Sequence, residues 1–184
     1  MVKSEIEFAL KHSVFADVVL NEIRIGNIPL RVTHNDTKIN NILLDEKNGK
    51  PVCVIDLDTV MQGSMLYDVG DALRIAGSTA SEDETDLSLV SFKVDSFRSF
   101  VEGYLSETGG ILTPKEIELM PFSVKLMTYE TGIRFLTDYL NGDTYFKTCR
   151  QHHNLDRARN QFKLVSDLET KEVKLNNIIK ELIK

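Results

Sequence analysis

Residues 33–58 read THNDTKINNILLDEKNGKPVCVIDLD, and this stretch restricts the fold more than any other. Two short apolar runs, Ile42-Leu43-Leu44 and Val52-Cys53-Val54-Ile55, flank a polar segment, residues 45–50. Within that segment Asn48-Gly49 tolerates the positive φ angles of a tight hairpin turn. The pattern is strand, turn, strand, with Asn41 just before the first strand and Asp56 just after the second. The open ends of an antiparallel hairpin lie on one side, so Asn41 and Asp56 meet there. Asp36 precedes Asn41 on the same short loop, and Cys53 is expected to be buried in the second strand.

Asp36, Asn41 and Asp56 are acceptor side chains whose order suits one chemistry. Transfer of a phosphoryl group needs a carboxylate to orient and deprotonate the attacking hydroxyl, and hard oxygen ligands to hold Mg²⁺ on the phosphates. Asp36 is the candidate base, and Asn41 and Asp56 are the candidate metal ligands. Lys38 is placed to offset the charge of the phosphate. His34 is expected to brace the loop by hydrogen bonds. Taken singly, each of these residues is also a common cap or turn residue. Asp58 is either a further metal ligand or a turn cap.

His34-Asn35-Asp36 with Asn41, followed by Ile55-Asp56, resembles the H-x-D-x-x-x-x-N loop and metal-binding aspartate of the aminoglycoside phosphotransferase and choline kinase superfamily, whose members are kinase-like. Leu57-Asp58 stands where protein kinases have Phe-Gly, which is closer to the small-molecule branch. Within that branch HNDTKINNILLD, IDLDTVMQGSMLYDVGDALR and RFLTDYLNGDTYF are similar to the N-acetylhexosamine 1-kinases, and the resemblance runs from about residue 23 to 150. It implies an α+β fold, a mostly helical kinase-like C-terminal lobe with a short β-hairpin at its active site. It also implies ATP and Mg²⁺ as donor and cofactor, and the anomeric hydroxyl of GlcNAc or GalNAc as acceptor. Aminoglycoside, choline or homoserine substrates are the alternatives. A choline site wants an aromatic cage, and a chain without Trp and with five scattered Tyr offers little for one. The family's loop-bracing aspartate corresponds to Asp68, with Asp71 close behind. Arg134, Asp138 and Tyr145 are the candidates for sugar contacts, although Arg134 and Asp138, four apart, would also make a plain ion pair on a helix.

Around this centre the chain reads as helices. Residues 3–22 carry apolar positions at three- and four-residue intervals, and Leu30-Arg31-Val32 is a short strand delivering the loop. Residues 59–64 read as loop, and 67–74 as the start of a helix. Residues 77–86 read as a solvated loop or lid edge, and 88–106 as an amphipathic helix stopped by Gly109-Gly110. Thr113-Pro114-Lys115-Glu116 is a capping box with proline at the first helical position. A long helix follows over 122–140, then a helical tail over 155–184 that caps the domain or pairs with a second copy. His152-His153 read as surface residues.

The 184 residues suffice for a single domain with a substantial core. A net charge of −6 argues against nucleic acid as a partner. The absence of a long apolar run argues against a membrane. Two cysteines without metal-type spacing suit a reduced, cytoplasmic protein. The chain holds no G-x-G-x-x-G, no V-A-I-K-like strand and no Walker A sequence. By the resemblance, then, it corresponds to a catalytic lobe whose N-terminal ATP-binding lobe is expected in the full protein. The 184 residues alone are expected to have little activity. Two rivals from other classes remain: a non-catalytic kinase-lobe fragment that binds a partner, and a metal-dependent ester hydrolase. Neither cysteine stands in the C/S-x-P-x-R setting that a sulfatase requires.

Overall fold

The structure is a computed structural model that describes residues 2–183; Met1 and the last residue of the expected tail, Lys184, lie outside the described residues. Helices α1 (Lys3–Lys11) and α2 (Phe15–Arg24) lead into strand β1 (Arg31–Thr33). The hairpin β2 (Ile42–Leu44) and β3 (Pro51–Val54) comes next, then β4 (Met61–Gly63) and α3 (Met65–Ala76). Helices α4 (Val94–Thr108), α5 (Pro114–Glu118), α6 (Met120–Leu140) and α7 (His153–Leu182) complete the chain. The architecture is the mostly helical α+β arrangement expected of a kinase-like lobe.

The core lies between α3, α4, α6 and α7. Leu66 and Leu73 from α3, Phe97 and Val101 from α4, Met120 and Val124 from α6, and Leu164 and Leu168 from α7 are all buried in one cluster. Two glycines set the helix crossings. A methyl group on Gly70 of α3 would lie 2.4 Å from the Ser123 carbonyl oxygen of α6, and one on Gly132 of α6 would lie 2.7 Å from the Phe162 ring of α7. A second cluster, built on Tyr129, Phe135, Leu155 and Phe162, continues the α6–α7 contact towards α1. Most of the apolar face of α7 is therefore spent inside the protein, and Val173 is left exposed. The helix is central rather than a peripheral tail.

The strands form two separate antiparallel pairs. In the hairpin Ile42 faces Val54, Leu43 faces Cys53 and Leu44 faces Pro51, with an irregularity after Leu43. Gly49 supplies the turn with a φ of 67°. In the other pair β1 lies against β4, with Thr33 opposite Met61. Residues 59–64 thus contain a strand where a loop was expected, since three residues are too few to show the alternation of a half-buried strand. The pairing depends on where β1 runs.

Other expectations are corrected as well. Cys53 is exposed, because the hairpin stands out from the helical body and all of β3 is open. The predicted helix over 3–22 is two helices. His12, buried at the break, bonds the Phe8 carbonyl through Nδ1 and Glu169 through Nε2. Residues 77–86 are a largely exposed loop, as expected, but one that is tied down: Asn160 donates to the Ser81 carbonyl, Arg74 to Glu82, and Asp83 meets His153. His153, read as a surface residue, is buried. The helix expected over 88–106 begins only at Val94.

Candidate active site

Thr33 leaves β1, and the next three residues turn sharply. Asn35 adopts a left-handed φ of 64°, a conformation in which asparagine is several-fold enriched. The turn is held from below by α3. Asp68 accepts the backbone N–H of His34 and of Asn35, each at 2.8 Å, one on each carboxylate oxygen. Asp68 sits in the first turn of α3, where the helix dipole favours a carboxylate. Thr37 Oγ1 donates to the Asp68 carbonyl, and Thr59 Oγ1 donates to the His34 carbonyl. The His34 ring joins the loop to the hairpin. Its Nε2 bonds the Ile55 carbonyl at 3.0 Å, and its Nδ1 accepts the Asp36 N–H at 3.3 Å. These two bonds assign the proton to Nε2.

At the head of the loop three of the singled-out side chains come together. Lys38 Nζ lies 2.6 Å from Asp36 Oδ2 and 3.9 Å from Asp56 Oδ2. Asn41 Nδ2 donates to the Asp36 carbonyl and to Asp36 Oδ2, at 2.9 and 3.0 Å. The Asn41 carbonyl accepts the Ile55 N–H, the backbone link that sets Asp56 beside the loop. Partial burial pushes the Asp36 carboxyl up, but hydrogen bonds from Lys38 and Asn41 outweigh it and hold the group below the usual aspartate range. The same hydrogen bond, donated to Asp36, raises Lys38. Asp36 is therefore an anion and Lys38 a cation at neutral pH. Asp56, like Asn35, is left-handed, with φ 64°. Two such non-glycine residues flanking one constellation is the pattern of local strain that functional sites retain.

The donor set suits a magnesium ion. Asn41 spends its amide hydrogens on Asp36; among the described residues Asn41 Oδ1 has no partner, and the Asp56 carboxylate meets only Lys38. Mg²⁺ is bound by one or two carboxylates together with waters and substrate phosphates, so a short list of protein oxygens is sufficient.

The remaining candidates divide. Asp71, grouped with Asp68 as a brace, does not reach the loop; it pairs with Arg74 at 3.0 Å and lines the cavity next to Asp36. Asp58 is exposed and, among the described residues, its side chain makes no hydrogen bond, so nothing joins it to Asp36 or Asn41. Asp138 is corrected in both senses. It neither pairs with Arg134 nor offers itself to a ligand. Its buried carboxylate accepts the backbone N–H groups of Thr144, Tyr145 and Phe146 and the amide of Asn154. Burial raises this carboxyl, and those donors more than reverse the effect. Asp138 shapes the loop after α6 from beneath. Tyr145 on that loop is largely exposed, in a side groove rather than the main cavity. Arg134 does face the main cavity, its guanidinium stacked 5.5 Å from the Phe146 ring centre.

That cavity, about 560 Å³, opens directly beside Asp36 and Lys38. It is within the ~300–1,000 Å³ range of small-molecule sites. Glu130, Lys147 and Arg157 also line it and are not singled out by the sequence. Isolated charges on a helix, such as Glu130 and Arg157, or in a connecting segment, such as Lys147, carry no local signal of what they face.

Residues 9–93 match the family described as the phosphotransferase enzyme family, abbreviated APH. The matched span contains the loop, the hairpin and Asp36, Lys38, Asn41 and Asp56. The match supports the aminoglycoside phosphotransferase or kinase-like superfamily, and with it a kinase-type phosphotransferase; enzymes of this kind generally use ATP and Mg²⁺.

Proposed function

We propose that this chain carries the catalytic half of an ATP- and Mg²⁺-dependent phosphotransferase that acts on a hydroxyl of a small molecule. The observation that carries the reading is the Asp36–Lys38–Asn41 constellation at the mouth of the cavity, with Asp56 across from Lys38. In the reaction the acceptor hydroxyl oxygen bonds the γ-phosphorus, the bond to the β–γ bridging oxygen breaks, and ADP leaves. Asp36 Oδ2 orients the hydroxyl and takes its proton, a contribution of about 10²–10⁴-fold for a general base. Lys38 stands within reach of the transferred group and offsets its charge. Asn41 and Asp56 would hold the magnesium ion, which neutralises phosphate charge when bound.

The hydroxyl of an N-acetylhexosamine is the acceptor favoured by the three segments that resemble the N-acetylhexosamine 1-kinases. Arg134, at the cavity, suits a hydroxyl-rich ligand, because a guanidinium fork donates to two oxygens. The nucleotide also needs a cover. Leu43, Leu44, Val52 and Val54 are all exposed apolar side chains on the hairpin. In this reading the hairpin is the seat of the ATP-binding lobe, and the 184 residues alone turn over slowly.

The test is phosphate transfer from ATP to a panel of amino sugars. It compares the 184-residue chain, the same chain with the protein encoded upstream, and Asp36→Asn in the longer form. Asp36→Asn is expected to lower kcat by about 10²-fold or more with little change in ATP affinity. Unchanged turnover in that variant would remove Asp36 as the base and the reading with it.

A further inference from the structure

The charges in the cavity do not cancel. Lys38 is held by Asp36, and Arg74 is held by Asp71 and Glu82. That leaves Arg134, Lys147 and Arg157 facing Glu130. None of these three cations forms an ion pair among the described residues. A cationic wall is not expected from composition in a chain of net charge −6.

Arg157 is the informative member. Its Nη1 donates to the Lys147 carbonyl at 3.2 Å and to Asn154 Oδ1 at 3.1 Å, and its guanidinium lies 5.4 Å from the Phe135 ring centre. The plane of the group is thus fixed. Its Nε is the one side-chain nitrogen or oxygen among the described residues that is buried without a hydrogen-bond partner. Nη2, on the same edge, also bonds to nothing among the described residues. The Nε–Nη2 edge is the fork with which arginine takes a carboxylate or phosphate bidentately. Arg31 uses this same edge on Glu116 elsewhere in the chain, at 2.7 and 2.8 Å. A buried N–H left unpaired costs free energy, and Arg157 is one of the residues that line the cavity.

We propose that the acceptor carries an anionic group, a carboxylate or a phosphate ester, apart from the hydroxyl that is phosphorylated, and that Arg157, Arg134 and Lys147 bind it. The inference rests on the phosphotransferase reading, and within it replaces the neutral N-acetylhexosamine with an acceptor that bears an acidic group. A nucleotide phosphate is the other source of such a group, and the test separates the two.

The probes are matched pairs: glucose against glucuronate, and N-acetylglucosamine against its 6-phosphate. Binding to the 184-residue chain is measured by NMR titration, with and without saturating Mg–ATP. The acidic member is expected to bind about tenfold tighter or more, with Mg–ATP leaving that affinity unchanged. Arg157→Gln is expected to reduce the preference to about threefold or less without altering the neutral sugar's affinity. Lys147→Gln, at an exposed position that packing does not need, reduces it partly. Equal binding within each pair overturns the inference and leaves the kinase reading standing. So does a preference that survives both substitutions. Competitive loss of the acidic sugar on adding Mg–ATP assigns the wall to the nucleotide and likewise overturns it. The kinase reading is checked separately by phosphate transfer from ATP in the longer protein with and without Asp36→Asn. Unchanged turnover there removes both.

Discussion

Arg31 and Glu116 show how a pair far from the chemistry sets the loop that performs it. Arg31 opens β1, two residues before Thr33, and Glu116 lies in α5, where it is also the third residue of a capping box. The Glu116 carboxylate is fully buried, and besides Arg31 it accepts the Thr113 N–H at 2.7 Å. The Arg31 side chain is 24% exposed and also donates to the Ile111 carbonyl. The two partners are therefore not equivalent. Arg31→Met leaves a buried carboxylate without its counter-ion, a loss of about 3–5 kcal/mol. Glu116→Gln leaves an arginine that still reaches water and a carbonyl, so its cost is closer to 2 kcal/mol. Against a total stability of about 5–15 kcal/mol, both losses are measurable.

Urea unfolding is the assay. With a slope of about 2 kcal/mol per molar, the midpoints fall by roughly 2 M for Arg31→Met and 1 M for Glu116→Gln. The pH dependence has a definite sign. Burial pushes the Glu116 carboxyl up, but the hydrogen bonds from Arg31 and Thr113 outweigh it and hold the group below its ordinary value. Its contribution is thus fully present above the unfolded value of about 4.3 and is lost as pH falls through the folded one. Without Arg31, burial is opposed only by the Thr113 hydrogen bonds, and the carboxyl is neutralised at higher pH. The gap between wild type and Arg31→Met should then narrow from pH 7 to pH 5. A gap that widens on acidification, or a Glu116→Gln loss exceeding that of Arg31→Met, would refute the reasoning.

Two glycines give opposite expectations. Gly70→Ala places a methyl 2.4 Å from the Ser123 carbonyl oxygen, a backbone atom that cannot step aside, and should cost about 2–3 kcal/mol as the α3–α6 crossing opens. Gly103→Ala, in the exposed middle of α4 with nothing within 4 Å, should stabilise by about 0.5–1 kcal/mol in the same unfolding experiment. Asp68→Asn loses an acceptor for the His34 or Asn35 N–H. Hydrogen exchange at those two amides should accelerate by about tenfold or more, while amides in the middle of α7 stay unchanged.

Much of the site was legible because its information is local. Asn48-Gly49 between two apolar runs specifies a hairpin, and a hairpin brings Asn41 towards Asp56 whatever surrounds it. Thr113-Pro114-Lys115-Glu116 likewise announces its own helix start. What was misread depends on contacts distant in sequence. Cys53 lies in an apolar run that reads as core, yet the hairpin projects from the body. Met61–Gly63 becomes a strand only because β1 passes beside it. The break at His12 follows from Glu169 on α7, 157 residues away. Asp138 has the spacing of an ion pair with Arg134, but the turn after α6 brings three backbone N–H groups onto its carboxylate first. Arg157 carries no local mark at all, and only the packing of α6 against α7 shows that it faces a cavity.

The claim on which the rest depends is that Asn41 and Asp56 hold a divalent ion next to Asp36. Carboxylate and amide oxygens suit Mn²⁺ as well as Mg²⁺, so the direct measurement is paramagnetic broadening of the ¹⁵N-labelled chain by substoichiometric Mn²⁺ in the presence of ATP. The account predicts that the amides of residues 41–42 and 56–57 broaden first, and that Asp56→Asn abolishes this pattern. Broadening centred elsewhere, such as the acidic segment 82–86, and indifferent to Asp56→Asn would contradict it.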